Sequence, residues 1–122
     1  AALIAARDGP QACVATMRTE FAARRELTYK LLDAIPGVKV VKSDGAFYAF
    51  FDVTAYFGKS FGGKPVTDSL SFCNTLLEQA YVNLVPGVAF GAEGFVRMSY
   101  ATNRATIEGG LAKLAEWLAT GK

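Results

Sequence analysis

Arg97 is the residue of this chain best placed to do chemistry. It stands in the run VPGVAFGAEGFVRMSYA, Val85 to Ala101, with Phe95, Val96 and Met98 around it. A guanidinium is planar and permanently charged, and its paired N–H donors match the two oxygens of a carboxylate. Set in an apolar strand, such a cation wants an anion. Either it receives a small organic acid, or it pairs with an Asp or Glu of its own chain, as buried cations usually must. Residue chemistry alone leaves both open. The rest of the run would hold the arginine still: an extended VNLV approach, a turn at Pro86-Gly87, and glycines at Gly91 and Gly94 that let the backbone bend sharply and approach a ligand closely.

Other chemistries find little support. The chain contains no histidine, which removes His-based general bases, Ser-His and Cys-His nucleophile systems and most zinc sites together. Cys13 and Cys73 lack metal-like spacing and read as buried thiols in a reducing compartment, the cytoplasm. The loop FGKSFGGKP is basic and glycine-rich, yet it lacks the spacing of a phosphate-binding loop and reads as a mobile surface connection over Phe57 to Pro65. Thirteen basic and 11 acidic residues, spread along the chain, give a formal charge of +2 and no basic block, so nucleic acid is not an expected partner. Even the longest uncharged stretch, Ala80 to Ala92, is shorter than the ~20 residues of a membrane span. No membrane partner is expected either.

The elements that must position Arg97 follow from periodicity. A length of 122 residues with 52% apolar content suits one domain over residues 1–122. Its start, AALIAARDGP, has neither a Met nor the basic lead of a secretory signal, and is expected to continue from something longer. Asp8, Gly9 and Pro10 predict the start of a long helix, whose stripe Val14, Met17, Phe21, Thr28, Leu31 and Ile35 ends at Pro36-Gly37. Arg24 lies on that stripe, and it and Arg25 read as solvated or snorkelling cations. Valines 38, 40 and 41, the Asp44-Gly45 turn and the aromatic strand Ala46 to Val53 predict a β-hairpin. Thr67 or Asp68 caps a helix with Leu70, Cys73, Leu76, Leu77 and Ala80 on its apolar side. Strands Val82 to Val85 and Phe95 to Tyr100 follow. A final helix, capped by Thr102 or Asn103, carries Ile107, Leu111, Leu114 and Leu118, with Trp117 beside that stripe. The order is α+β: a small sheet of short strands with helices packed on it, led by a long N-terminal helix.

These motifs resemble the class I aminotransferases, the pyridoxal-phosphate enzymes of fold type I that include aspartate aminotransferase. VPGVAFGAEGFVRMSYA is similar to the family's C-terminal arginine signature. FAARRELTYKLLDAIPGVKV resembles its long helix with paired arginines, DGAFYAFFDV its G-x-F-Y-x-F strand near the substrate pocket, and SFCNTLLEQAYVNLVPG the helix and strand leading to the arginine turn. The resemblance covers nearly the whole chain, in order.

It implies a C-terminal small domain of an enzyme about three times as long, transferring an amino group between an amino acid and a 2-oxo acid. Arg97 would clamp the substrate α-carboxylate, and Phe47, from its place in the G-x-F motif, would lie near the pocket opening; as an aromatic on a hairpin strand Phe47 also reads as core. The cofactor would be pyridoxal 5'-phosphate, held by the enzyme's own large domain, and the full-length enzyme would be a homodimer. None of Lys30, Lys39, Lys42, Lys59, Lys64 or Lys113 has the serine-rich context of the family's cofactor lysine. No catalytic residue, cofactor ligand or metal ligand is therefore expected here, and the chain alone would not turn over. A related fold type I enzyme with other chemistry, or a stand-alone domain that binds small acids or a partner protein, would also account for the arginine.

Overall fold

The computed structural model describes the backbone of residues 2–122 and the side chains of residue 4 and residues 6–122. Ala1, where the expected domain begins, lies outside them. Two helices lead, α1 (Ala2–Asp8) and α2 (Ala12–Asp33), followed by strands β1 (Lys39–Val41) and β2 (Tyr48–Asp52). Next come the short strands β3 (Ser60–Phe61) and β4 (Lys64–Pro65), helix α3 (Ser69–Ala80), strands β5 (Val85–Pro86) and β6 (Phe95–Ser99), and helix α4 (Arg104–Ala119). The class is α+β. A four-stranded antiparallel sheet of order β1-β2-β6-β5 carries α2 and α3, α4 packs against both of these helices, and β3 and β4 form a separate ribbon.

Register fixes which side chains meet the helices, because directly opposed residues of antiparallel strands share a face. Ala49 opposes Met98 and Phe51 opposes Val96, and this face forms the core with Leu32, Phe72, Leu76, Ile107 and Leu114. Tyr48 opposes Ser99, Phe50 opposes Arg97, and Asp52 opposes Phe95. That second face turns away from the helices, and its Tyr48, Phe50, Phe95 and Arg97 are half-buried. Phe50 and Phe95 stack there with ring centroids 5.0 Å apart.

The helices depart from the predicted stripes in informative ways. The long helix starts at Ala12, after a separate α1, so Pro10 lies ahead of it and not in its first turn. Val14 and Met17 are exposed, and the buried positions of α2 are Thr28, Tyr29 and Leu32. The apolar period is real, but only the second half of α2 reaches the sheet. Cys13, on the outlying half, is exposed and not a core thiol; Cys73 is buried, and burial pushes its thiol up to about 12. In α3, Leu70 and Leu77 are exposed while Phe72, Cys73 and Leu76 carry the buried face. Asp68 caps α3 by accepting from the Ser71 N–H at 2.7 Å, and Ser71 returns a contact to the Asp68 N–H at 3.1 Å. Asn103 caps α4 through the Thr106 N–H at 2.8 Å, and all four predicted apolar positions of that helix are buried.

The stretch expected to be a mobile loop is an anchored ribbon. Phe61 is fully buried and stacks on Trp117 with ring centroids 4.0 Å apart. Gln79 fixes both, donating to the Phe61 carbonyl at 2.9 Å and accepting from Trp117 Nε1 at 2.9 Å. The glycines and Lys64 of this segment are exposed, as its composition suggests, but Lys59 is half-buried over Tyr56 and one apolar residue sets the position of the whole. The predicted strand from Val82 to Val85 shrinks to Val85–Pro86, since only those residues find a partner on β6.

Glu20 joins the outlying half of α2 to the start of α4. It accepts from Arg104 at 2.7 and 3.2 Å and from Arg24 at 2.9 Å. Hydrogen bonds from Arg104, then Arg24, hold its carboxyl down to about 2 from an ordinary 4.5. A carboxyl depressed on folding contributes stability that is complete above its unfolded value and lost as pH falls through the folded one. Glu20→Gln is therefore expected to flatten the fall of melting temperature between about pH 5 and pH 2. Parallel thermal scans across that range check this, and identical slopes in the two proteins would contradict it.

Candidate functional site

Arg97 sits at the centre of β6, with Phe50 opposite on β2 and Val85 opposite on β5. Its guanidinium carbon lies 4.3 Å from the ring centroid of Tyr48 and 4.3 Å from that of Phe90. The cation thus lies over two aromatic faces, whose quadrupoles attract it. Among the described residues no Asp or Glu forms an ion pair with it, and its side chain makes no hydrogen bond. Pairing with an internal acid, one of the two readings that residue chemistry leaves, is not seen among the described residues. A half-buried guanidinium whose N–H donors meet no partner among the described residues has the chemistry to receive an anion.

Phe90 reaches Arg97 from the connection between β5 and β6. Gly87 opens a 3-10 turn, Gly87–Phe90, instead of the simple Pro-Gly turn expected. A Cβ on Gly87 would lie 2.1 Å from the Ala92 carbonyl oxygen and 2.4 Å from that of Phe95, so only glycine lets the loop close. Gly94, at φ +91°, is left-handed and passes close to Thr54. Glu93 ties the loop to the start of α3, accepting from the Ser69 N–H at 2.5 Å, the Ser69 hydroxyl at 3.2 Å and the Gly94 N–H at 3.0 Å. The Ser69 hydroxyl accepts in turn from the Val88 N–H at 3.2 Å. These donors, the Ser69 N–H foremost, hold the Glu93 carboxyl below its ordinary value.

Phe47 is 40% exposed and so is not a core residue, the alternative its hairpin position suggested. Its ring lies 4.6 Å from Tyr48 and 6.0 Å from Phe21, one ring removed from the guanidinium. Its carbonyl accepts from the Tyr100 N–H at 2.9 Å, while Ala46 before it takes a positive φ of 63°. Arg24 stands 5.2 Å from the Phe21 ring and bonds Glu20, a half-buried structural cation. The residues in contact with Arg97 that sequence reasoning missed are Tyr48 and Phe90. Strand alternation could have found Tyr48, since it falls on the same face as Phe50; Phe90 carries no such signal because its loop has no period.

Pyridoxal 5'-phosphate needs a lysine amine and a set of phosphate donors, and the residues gathered at Arg97 do not fit it. They offer one guanidinium and aromatic rings. Lys39 is placed on the same sheet face at the far strand, opposite Asp52; Lys59 stands over Tyr56, and Lys64 pairs with Glu78. A cleft of about 380 Å³ lies elsewhere, between the end of α3, β6 and α4, lined by Tyr81, Leu84, Met98 and Leu114. Among the described residues there is no cluster of potential metal ligands, and no helix is long and apolar enough to cross a membrane.

The sequence model of the family described as "Aminotransferase class I and II" matches residues 1–114. The chain is 37% identical over 119 residues to an aspartate aminotransferase of Streptomyces avermitilis, covering 98% of this chain and 29% of that protein. The solved aspartate aminotransferase of Rhizobium meliloti matches with a TM-score of 0.94 at 36% identity, over 99% of this chain and 30% of that one. The aspartate aminotransferase of Thermus thermophilus, solved with maleate, matches with a TM-score of 0.76 at 33% identity, over 90% of this chain and 26% of that one. This chain spans about a quarter to a third of the length of these relatives.

Proposed function

The chain belongs to the class I and II aminotransferases, and from that premise we propose that it is the small C-terminal domain of a pyridoxal-phosphate enzyme in which Arg97 clamps the substrate α-carboxylate. The reaction is amino transfer between an amino acid and a 2-oxo acid, with aspartate the first donor to try, as the relatives' names indicate. The single observation that carries the clamp is the guanidinium lying over the rings of Tyr48 and Phe90 with no acidic partner among the described residues. Pyridoxal 5'-phosphate supplies the electron sink for bond breaking at the α-carbon. Residues outside this chain bind it, in the enzyme's own large domain, and the whole enzyme works as a homodimer in the cytoplasm.

Within that reaction the chain's own residues bind and orient. The two carboxylate oxygens accept in parallel from the Arg97 fork, which fixes the α-carbon at one distance and one angle. Such positioning converts an encounter into a near-attack geometry and supplies several kcal/mol of barrier reduction. Arg97 moves no proton; its part is to bind and orient. The outward face of Phe50, Phe95 and Phe90 is apolar, and when apposed to the large domain it excludes water around the ion pair, which strengthens it. Phe47, exposed beside Tyr48, would lie at the rim of that face.

The test is an amino-transfer assay on the full-length protein with aspartate and 2-oxoglutarate, with maleate as competitor. Saturable transfer, inhibited competitively by maleate, is expected from the full-length protein and none from the 122-residue chain alone. Absence of transfer from any amino acid by folded, cofactor-loaded protein would overturn the reading, and turnover by the chain alone would overturn the division of labour.

A further inference from the structure

We propose that Tyr48 and Phe90 are positioning residues for the carboxylate site, whose rings fix the plane of the Arg97 guanidinium from both sides so that an anion is received only at its edge. This rests on the reading of Arg97 as the carboxylate clamp. An arginine side chain is long and rich in rotamers, and a salt bridge or hydrogen bonds ordinarily hold it. Arg97 has neither among the described residues. What holds it is the pair of rings, each with a centroid 4.3 Å from the guanidinium carbon.

Each ring is in turn fixed by something independent of the arginine. Tyr48 begins β2 and packs its ring against Phe47 at 4.6 Å. Phe90 meets Phe50 edge-on at 6.3 Å and rides on the loop that Glu93 fastens to α3. The guanidinium is therefore in place before any ligand arrives, and the ordering entropy that binding would otherwise spend on it is already lost. With its central carbon over both rings, the guanidinium is left to offer its N–H donors to a ligand along its edge. A carboxylate is also planar and presents two oxygens along one edge, so the two forks meet flat.

The experiment measures maleate affinity by titration calorimetry, and KM and kcat for aspartate, on the full-length protein. Phe90→Leu and Tyr48→Leu remove the ring faces while keeping apolar bulk, and each is expected to weaken maleate about five- to tenfold and to lower kcat/KM for aspartate by at least as much. Tyr48→Phe keeps the ring and is expected to restore the affinity to within about twofold of wild type, a rescue that general loss of structure would not give. Wild-type maleate affinity in Phe90→Leu overturns the proposal, as does a Tyr48→Phe protein as weak as Tyr48→Leu. Arg97→Ala separates the two readings. If it binds maleate normally, the clamp itself fails; if it loses maleate while both leucine variants keep it, the clamp stands and the positioning role falls.

Discussion

Arg97→Ala is expected to lower kcat/KM for amino transfer by about 10²–10³-fold, and to do so for every amino donor alike. The size follows from the interaction lost. A fully engaged, charge-assisted fork between guanidinium and carboxylate is worth roughly 3–4 kcal/mol when truncated, because the carboxylate then enters a desolvated site without a partner. Uniformity across donors follows from what is held: every amino acid has the same α-carboxylate, and the side chain is read elsewhere. Arg97→Lys keeps the charge but loses the planar fork and the fit between two rings, so it should recover only part of the activity. Initial rates with an acidic, an aromatic and an aliphatic donor check the prediction. A loss confined to one donor would reassign Arg97 to side-chain recognition. Circular dichroism accompanies the rates, though Arg97 reaches away from the core and its truncation leaves no cavity among the helices.

The second large effect concerns stability. Phe61→Ala is expected to destabilise the fold by about 3–5 kcal/mol, the usual range for deleting a fully buried phenylalanine. The phenyl ring lies flat on Trp117, and Tyr56 approaches it at 6.5 Å, so its removal leaves a void bounded by aromatic walls that cannot collapse easily. Trp117 would also lose the face that orients its indole toward Gln79. Urea unfolding followed through Trp117 fluorescence reads the change, as a lower midpoint with a similar slope. A loss below about 1 kcal/mol would mean that the ribbon is only loosely attached, the mobile loop that its glycines and lysines suggest.

Phe61 also shows where sequence reading reaches its limit. A glycine-rich, lysine-bearing segment does favour turns, and Gly58, Gly62 and Gly63 all take positive φ. One aromatic among them was enough to dock the segment, and no periodicity can show that in so short a stretch. Where a period runs long enough it was dependable: α4 buries all four of its predicted positions, and its cap is one of the two residues named. In α2 the same signal misled in part, because Val14 and Met17 keep helical spacing on a stretch of helix that extends past the sheet. Arg97 was legible for a different reason, since a charge in an apolar strand is conspicuous at any distance. Its aromatic neighbours were not, because Tyr48 and Phe90 are defined by strand pairing and by a loop that bends at Gly87, and both are facts of three dimensions.

The order β1-β2-β6-β5 places the partners of Arg97 on segments far apart in the chain. Tyr48 belongs to β2, and β6 reaches it only after the ribbon, α3 and the 87–94 loop have been made. Closing that distance is the slow, entropically opposed part of folding, and the pairing of β2 with β6 cannot precede synthesis of residue 99. A nascent chain stopped before that point can contain α2 and the β1–β2 hairpin and still offer no grip on a carboxylate. On the role proposed for Arg97, anion capture would report on completion of the central strand pair, and a small dicarboxylate added during refolding would favour the finished chain over partly assembled ones by mass action.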